Sequence, residues 1–344
     1  MSIKITCYGP RGSIPAPSRK GFSTVEYGGN TSCYKVEAGP FILILDMGSG
    51  IMVAGDDLMK AGKGFGKEFI VLLSHYHWDH LQGGPFAVPL FIGSNKFHFH
   101  GFAPAGSESH VPFDRIVESV LASQQEAPNF PVPHQAMPGR KEYHTHHFQF
   151  SETFTYFCDE AGKLQHNATQ VIGKAHETLP ADIRNDPSRW IKITTIPLNH
   201  PNGCLGYSIE YMGSKAVYCT DNEPLLYPNK EINKHAKDAD WLLLDGQYTP
   251  EQLGGMTQTF GHGTPNNCSA TARPTTASSR PLRAGPSNWS STTTTTPATT
   301  TPRWRTWNRR PSRTERNAAT QARSRWPARA GFGKSDYGQK DSRI

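Results

Sequence analysis

Long hydrophobic runs and paired cysteines are both missing from this 344-residue chain. It has no apolar stretch of the roughly 18 residues that a membrane-spanning helix needs. The segment Met1–Cys7 alternates like a strand and lacks the apolar core of a signal peptide. The 6 cysteines have no C-x-x-C spacing, which argues against a zinc ribbon and indicates reduced thiols. These absences predict a cytoplasmic protein with no membrane contact.

Histidine and acidic residues are nearly absent from the C-terminal part of the chain. No histidine follows His262, and residues 263–344 contain 15 Lys and Arg against 3 Asp and Glu. With 8 prolines and the run Thr292–Thr296, this part cannot bury enough apolar surface to offset its chain entropy. Residues 266–344 are therefore predicted to be a disordered basic tail. The tail's +12 exceeds the +7 of the whole chain, so residues 1–262 carry −5, and only the tail would bind polyanions non-specifically.

A shift of reading frame would explain this tail. Threonine codons begin with AC, so the frame starting at the third base reads every Thr-Thr step as Tyr, His, Asn or Asp. In that frame Asn288-Trp289 gives Leu and Trp307-Asn308 gives Glu. We infer that the chain from about residue 266 is frame-shifted, in the gene or in the printed sequence, and that the intended text encodes a strand, a His/Asp loop and a helix. A genuine basic tail is the alternative. Sequencing the gene past codon 260 distinguishes the two alternatives. A shifted frame that lacks Leu followed by His and Asp codons would contradict the inference.

The densest group of metal-binding side chains follows the apolar run Phe69–Leu73, which is predicted to be a buried strand. The group reads His75-Tyr76-His77-Trp78-Asp79-His80. Residues two apart point the same way as the chain leaves a strand, so His75 and His77 can bind one ion. Asp79 and His80 fall on the next turn and can reach a second ion. Imidazole and carboxylate ligands favour zinc, with manganese or iron as alternatives.

The pattern H-x-H-x-D-H resembles the metallo-β-lactamase superfamily, and further motifs along residues 1–265 extend the resemblance. The strand that ends in Asp46-x-Gly48-x-Gly50 resembles the D-x-G-x-G segment, in which the aspartate braces the metal loop. Two later strand ends match the third histidine of the first ion and the carboxylate that bridges both ions. The resemblance thus implies two divalent metal ions, with the metal ligands His75, His77, Asp79, His80, His200 and Asp221.

Two short motifs are similar to the phosphodiesterase branch of that superfamily, which includes tRNase Z and the cyclic-phosphate hydrolases. The segment Tyr27–Cys33 contains G-G-N-T-S, and Gly261–Thr264 resembles the H-S-T element. This resemblance implies catalytic roles for Asp79, which would orient the attacking hydroxide, and His262, which would contact the phosphate or protonate the leaving oxygen. Asp245 either supports the site or is an ordinary turn residue. The branch's final histidine ligand has no counterpart after His262, so a weak second ion site is expected.

The implied fold class is α/β, an αββα sandwich of two mixed β-sheets flanked by helices. Residues 1–265 would form this domain, with an internal insert at about residues 85–189 that covers the substrate. The insert is predicted to contain a strand at Leu90–His100 and a helix near Arg115–Gln125, and its histidines, including His144, His146 and His147, are expected to be solvent-facing or structural. The core strands are predicted at Ile3–Tyr8, Ser32–Glu37, Phe41–Asp46, Phe69–Ser74, Ile191–Pro197, Gly206–Tyr211, Ala216–Thr220 and Trp241–Asp245.

Three function classes remain open at this point. The first is a metal-dependent hydrolase that cleaves RNA or a small phosphodiester such as a cyclic nucleotide. The second is an acyl hydrolase such as a lactonase, which the same two-ion centre can support. The third is a metal-binding or ligand-binding protein with impaired catalysis, because the final ligand is missing. The two short motifs favour the first class, and the sequence leaves open whether the chain forms a homodimer.

Overall fold

The computed structural model of the protein describes residues 2–170, 175–223, 229–248, 261–264 and 283–284. Within these residues the apolar and alternating segments form two mixed β-sheets. The strands of the first sheet lie side by side in chain order, antiparallel from β1 to β3 and parallel from β3 to β6. Their bounds are β1 Ile3–Gly9, β2 Cys33–Ala38, β3 Phe41–Leu45, β4 Glu68–Leu72, β5 Lys96–Phe102 and β6 Arg140–His146.

The second sheet has the strand order β13-β12-β11-β10-β9-β7-β8. Its strands from β8 to β11 are antiparallel neighbours, whereas β12 runs parallel to β11 and β13 parallel to β12. The bounds are β7 Thr153–Cys158, β8 Leu164–Gln170, β9 Trp190–Leu198, β10 Cys204–Tyr211, β11 Ser214–Cys219, β12 Trp241–Leu244 and β13 Arg283–Ala284.

The helices are short and sit in the connections between strands. The α-helices are α1 Gly50–Lys60, α2 Trp78–Leu81, α3 Ile116–Gln124, α4 Ala181–Arg184 and α5 Lys230–Ala236. Single 3₁₀ turns lie at Gly84–Phe86, Val88–Phe91, Ser107–Ser109, Phe113–Arg115, His134–Ala136 and Ala175–Thr178. Among the described residues no helix has both the length and the apolar character needed to cross a membrane.

Strand β3 shows how the sequence creates the layers. Its five residues are all buried, and their side chains alternate between the two faces of the sheet. Leu43 and Leu45 point into the layer between the sheets, where they join Ile193 and Tyr207 of the second sheet. The intervening Ile44 packs on the outer face, in a cluster that includes residues of α1 and α3. A third cluster joins α5 to the outer face of the second sheet, so the αββα prediction is confirmed.

The predicted strands of the core agree with the structure to within two residues at each end. Two predictions for residues 85–189 are wrong. The segment is not an insert, because it supplies β5 and β6 to the first sheet and β7 and β8 to the second. Within it, Leu90–His100 is not a single strand. Its first part belongs to the 3₁₀ turn Val88–Phe91, and the strand starts only at Lys96. Pro89 has no backbone N–H to pair in a sheet. The Asn95 side chain donates to the carbonyls of Gly64 and Pro89, which fixes the turn.

The helix prediction within residues 85–189 is confirmed, and the predictions for the tail remain untested. The helix expected near Arg115–Gln125 is observed at Ile116–Gln124. The predictions for residues 266–344 lie outside the described residues, apart from the two-residue strand β13. The frame shift and the domain boundary at residue 265 therefore remain predictions.

Candidate metal centre

The ends of four strands meet at one edge of the sandwich and bring the polar motifs together. The loop His75–His80 follows β4, His200 follows β9, Asp221 follows β11 and Asp245 follows β12. Loops at a sheet edge are held by a rigid scaffold, which suits them to carry a functional site. The candidate metal-binding residues of this group, except His77, are at most 9 % exposed.

Three histidines form the first group of donors. One ring nitrogen from each of His75, His77 and His200 lies within 4.8 Å of the others. The closest pair is His200 Nε2 and His77 Nδ1, at 3.0 Å. Two nitrogens bound to one zinc ion at about 2.0–2.1 Å in tetrahedral geometry are about 3.3 Å apart, so this spacing fits a shared ion.

Asp221 lies between these three histidines and a second donor group, which is centred on His80. Its Oδ2 is 3.5 Å from His75 Nε2, 3.3 Å from His80 Nε2 and 3.8 Å from His200 Nε2. The carboxylate of Asp79 lies beside the second group, with Oδ2 3.3 Å from His80 Nε2. The same Oδ2 accepts a hydrogen bond from the backbone N–H of Ser13 at 2.7 Å, which holds Asp79 in place. The structure therefore brings all six predicted ligand side chains to one centre.

Hydrogen bonds on the far side of the rings orient the histidines. His80 Nδ1 donates to Asp46 Oδ2 at 2.7 Å, and His200 Nδ1 donates to the carbonyl of Gly261 at 2.8 Å. His75 Nδ1 lies 3.0 Å from Ser74 Oγ. With the proton on Nδ1, each Nε2 presents a lone pair to the centre, as in metal-bound histidines.

Two buried nitrogens test whether these residues fit a metal ion. His75 Nε2 and His80 Nε2 are both buried and have no hydrogen-bond partner among the residues that the structure describes. Buried polar atoms are nearly always paired, so two orphans facing one carboxylate call for an explanation. A divalent cation between these nitrogens and Asp221 would satisfy all three side chains. The donor set of imidazoles and carboxylates is the one that zinc and similar ions prefer.

Asp46 holds the loop of the candidate metal centre in place through hydrogen bonds. Its carboxylate is fully buried and accepts hydrogen bonds from the Ser74 N–H at 2.7 Å, Ser74 Oγ at 2.8 Å and the Tyr218 hydroxyl at 2.6 Å, besides His80. The chain turns at this point through a left-handed conformation, with φ of 58° at Asp46. Gly48 follows, because a Cβ there would lie 2.2 Å from the carbonyl oxygen of Asp79. These contacts explain why D-x-G stands at this strand end.

His262 joins the centre from the G-H-G-T segment. One of its ring nitrogens lies within 4.8 Å of donors from His200 and Asp221. His262 Nδ1 is 3.1 Å from Asp245 Oδ2, which also accepts from the backbone N–H of Gly263 at 3.1 Å. Gly261 has φ of 82°, and a Cβ there would lie 2.1 Å from His200 Nδ1. Only glycine lets this backbone approach the ring so closely.

Burial and charge pull the ionisable groups of the centre in opposite directions. Burial lowers the pKa of His75 well below its usual value, and it also lowers the pKa of His200. Burial works against protonation of His80 too, but the charges of Asp221 and Asp46 outweigh it and raise the His80 pKa. For Asp221, burial opposes ionisation, and the nearby His80 outweighs it, so the pKa of Asp221 is lowered. The centre therefore combines an ionised carboxylate with neutral imidazoles at His75 and His200, the protonation states that metal binding requires.

Several supporting residues could not be found from the sequence. Ser13 and Tyr218 contact the site from segments with no motif of their own. For Ser74 the sequence contains one indication of a role at the site, because Ser74 directly precedes His75. Asp245, which the sequence left ambiguous, holds both His262 and the N–H of Asn222.

Comparison with known proteins is informative once this geometry is known. No protein-family model matches the chain. The chain is 21% identical to ribonuclease Z from Lachnospira eligens over 277 residues, which cover 76% of this chain and 80% of that protein. Solved structures with similar folds include the metallo-β-lactamase fold protein YhfI from Bacillus subtilis, with 18% identity, a TM-score of 0.45 and coverage of 77% and 78% of the two chains. Human tRNase Z, short form, has 16% identity, a TM-score of 0.46 and coverage of 78% and 86%.

The site has the architecture of a metal-dependent hydrolase centre, with a histidine-rich loop after one strand and a shared carboxylate after another. The ligand motif and the αββα layers are those expected from the resemblance to the metallo-β-lactamase superfamily, and the similarity to ribonuclease Z extends over 277 residues of the chain.

Replacing Asp46 tests the brace. In Asp46→Asn the amide keeps the size but loses the charge, and its NH₂ group faces donors such as the Ser74 N–H. We expect divalent-metal affinity to fall about 10–100-fold, as for other residues that orient metal ligands. Competition with a chromogenic chelator measures the affinity. The exposed Asp56→Asn is the control and should leave it unchanged. Equal affinity in Asp46→Asn and the unaltered protein would show that Asp46 does not orient a ligand.

Proposed function

We propose that the protein is a metal-dependent phosphodiesterase that cleaves a substrate carrying a nucleobase, such as RNA or a small nucleotide. The strongest support is the carboxylate of Asp221, which lies within 4 Å of His75 and His200 in the first donor group and of His80 in the second. Two further ionisable side chains, Asp79 and His262, lie beside it. A shared carboxylate suits two ions held close together. Two bound divalent ions would supply charge neutralisation at the phosphate and a more acidic water molecule.

Asp79 is proposed to position the attacking water. Burial raises its pKa, but the nearby imidazole of His80 outweighs burial, and the net pKa of Asp79 is lowered. Asp79 is therefore an ionised acceptor at neutral pH. The backbone N–H of Ser13 fixes its Oδ2, so the carboxylate can accept a hydrogen bond from water in a constant orientation.

His262 is proposed to donate a proton to the leaving oxygen. Burial lowers its pKa, but the hydrogen bond to Asp245 and the charges of Asp221 and Asp245 outweigh burial, and the net pKa is raised. Asp245 accepts from Nδ1, which leaves Nε2 as the atom that can face a substrate. A histidine whose pKa is raised keeps its proton to higher pH, which suits it to act as a general acid.

The exposed Trp78 supports a substrate with an aromatic base. Trp78 lies between His77 and Asp79, at the start of α2, and is 82% exposed. A large aromatic ring that stays in water contributes no burial free energy to folding. Stacking on a nucleobase would bury it at a gain of about 1–3 kcal/mol.

Asp79→Ala should separate chemistry from metal binding. We expect hydrolysis of bis(p-nitrophenyl) phosphate to fall at least about 100-fold, at the lower end of what positioned acid–base groups contribute. His75, His77 and His200 should still hold one ion per chain, measured by elemental analysis of the same sample.

A lactone and a β-lactam assayed in parallel distinguish the acyl hydrolase alternative, and absence of all turnover with bound metal favours the non-catalytic one. The exposed Asp56→Ala serves as the control for Asp79→Ala. Full activity in Asp79→Ala, or loss of every bound ion, contradicts the role proposed for Asp79 and the ligand set proposed for the first ion.

Trp78→Ala tests the substrate class. We expect KM for a dinucleotide to rise about tenfold, because stacking on a base is worth about 1–3 kcal/mol. The KM for bis(p-nitrophenyl) phosphate should change less than that for a purine dinucleotide, since a single nitrophenyl ring overlaps the indole less than the two fused rings of a purine. Phe65→Ala removes another exposed aromatic side chain, 54% exposed and outside the metal-binding loops, and is the control. A similar change of KM for both substrates would remove the argument for a nucleobase.

A further inference from the structure

A second cluster of histidines lies in the middle of β5 and β6. His98 is paired in register with Ile70 of β4 on one side and with Glu142 of β6 on the other. His144 follows two residues after Glu142 and faces the same side. One donor atom from each of His98, Glu142 and His144 lies within 4.8 Å of the others. None of these residues belongs to the centre described above.

His98 is the informative member of this cluster. Its side chain is only 1% exposed. Its Nε2 lies 3.1 Å from Glu68 Oε2 in hydrogen-bond geometry, so Nε2 carries the proton and donates it. Within the described part of the chain its Nδ1 has no hydrogen-bond partner, although Glu142 Oε2 is 3.1 Å away, because the carboxylate is not in line to accept. With the proton on Nε2, the buried Nδ1 therefore carries a lone pair and lies 3.1 Å from an anionic oxygen.

We propose that His98, Glu142 and His144 form a second metal-binding site, separate from the hydrolytic centre, that takes a borderline transition-metal ion such as Zn²⁺. A cation between His98 Nδ1 and Glu142 Oε2 would turn a repulsive contact into two coordinate bonds. The Glu68 carboxylate on the far side of His98 would then orient the ring, as carboxylates do behind metal-bound histidines. Two nitrogen donors and one oxygen donor suit zinc rather than calcium or magnesium.

The surrounding charges favour a cation. Glu68 and Glu142 are both within ion-pair distance of Lys96, whose Nζ is 2.7 Å from Glu142 Oε1 and 3.7 Å from Glu68 Oε2. One lysine does not neutralise two carboxylates, so one negative charge remains. Lys96 contacts the Oε1 oxygen of Glu142, while Oε2 faces His98.

The neighbouring imidazoles are neutral and available as ligands. Burial lowers the pKa of His144 to about 2 and the pKa of His166 to about 4. The ring of His166, on β8, is 4.3 Å from that of His144, and its buried Nε2 has no hydrogen-bond partner in the ranges that the structure describes. A fourth donor is thus adjacent to the three. Zinc ligands are about 3.3 Å apart in a tetrahedral site, and His98 Nδ1 and Glu142 Oε2 are already 3.1 Å apart.

Metal counting by equilibrium dialysis tests the site. The full chain, Glu142→Gln and His144→Asn are dialysed against the same excess of Zn²⁺, and bound zinc is measured by elemental analysis. We expect each variant to hold one ion fewer per chain than the unaltered protein, while hydrolysis of bis(p-nitrophenyl) phosphate is unchanged. Glu231→Gln is the matched control, because Glu231 is also a part-exposed glutamate beside a histidine, His235, at 3.9 Å.

The outcomes separate this site from the hydrolytic centre and from simple misfolding. Glu142 is 48% exposed, so its replacement should leave the unfolding temperature in chelator unchanged. Equal zinc content in the unaltered protein, Glu142→Gln and His144→Asn would overturn the proposal and favour His98 as an imidazolium between two glutamates. Loss of one ion in these variants, in a chain that hydrolyses no phosphodiester, would support the second site and contradict only the proposed function.

Discussion

The buried carboxylate of Asp46 is the interaction on which the site depends. It lies where β3 ends, and it accepts hydrogen bonds from the loop after β4 and from Tyr218 on β11 of the opposite sheet. A buried carboxylate without partners costs several kcal/mol, so these donors and the anion stabilise one another only in one arrangement. That arrangement fixes the distance between the two sheets at this edge and the tautomer of His80. The geometry of the candidate metal centre follows from both.

Histidine serves three different purposes in this chain, and its surroundings decide which. In the metal centre the rings present a lone pair to a shared carboxylate, with the other nitrogen bonded to Asp46 or a backbone carbonyl. His134 is structural, because its two nitrogens pair with Gln125 Oε1 at 2.9 Å and the Tyr143 hydroxyl at 3.0 Å. His98 has one satisfied nitrogen and one that faces a carboxylate without a hydrogen bond to any described residue. Such a buried nitrogen fits a metal ion where further donor atoms lie within 4.8 Å of it, as in both proposed sites.

The two proposed metal sites differ in how visible they are in the sequence. The ligands of the first stand within six residues of one another or at strand ends, where a turn leaves them free to point at one spot. Those of the second lie in the middle of β5 and β6, where alternation alone would make them ordinary inward-facing residues. Local sequence contains no sign of the pairing between β5 and β6, so it predicts His144 and its neighbours only as solvent-facing or structural residues. Register places Glu142 beside His98, and no local pattern predicts which residues of two separate strands will be paired.

The sequence by itself determined the layers of the fold and the candidate ligands of the first site. Apolar residues throughout segments such as Phe41–Leu45 require burial on both faces, and the H-x-H-x-D-H spacing allows few uses other than metal binding. Only the tertiary structure decided the contacts between distant segments. Ser13 reaches Asp79, Asp245 holds His262, and Glu142 meets His98, because sheet packing and strand register bring them together. Such contacts depend on how whole strands pair and stack, which is a property of the folded chain and not of any short segment.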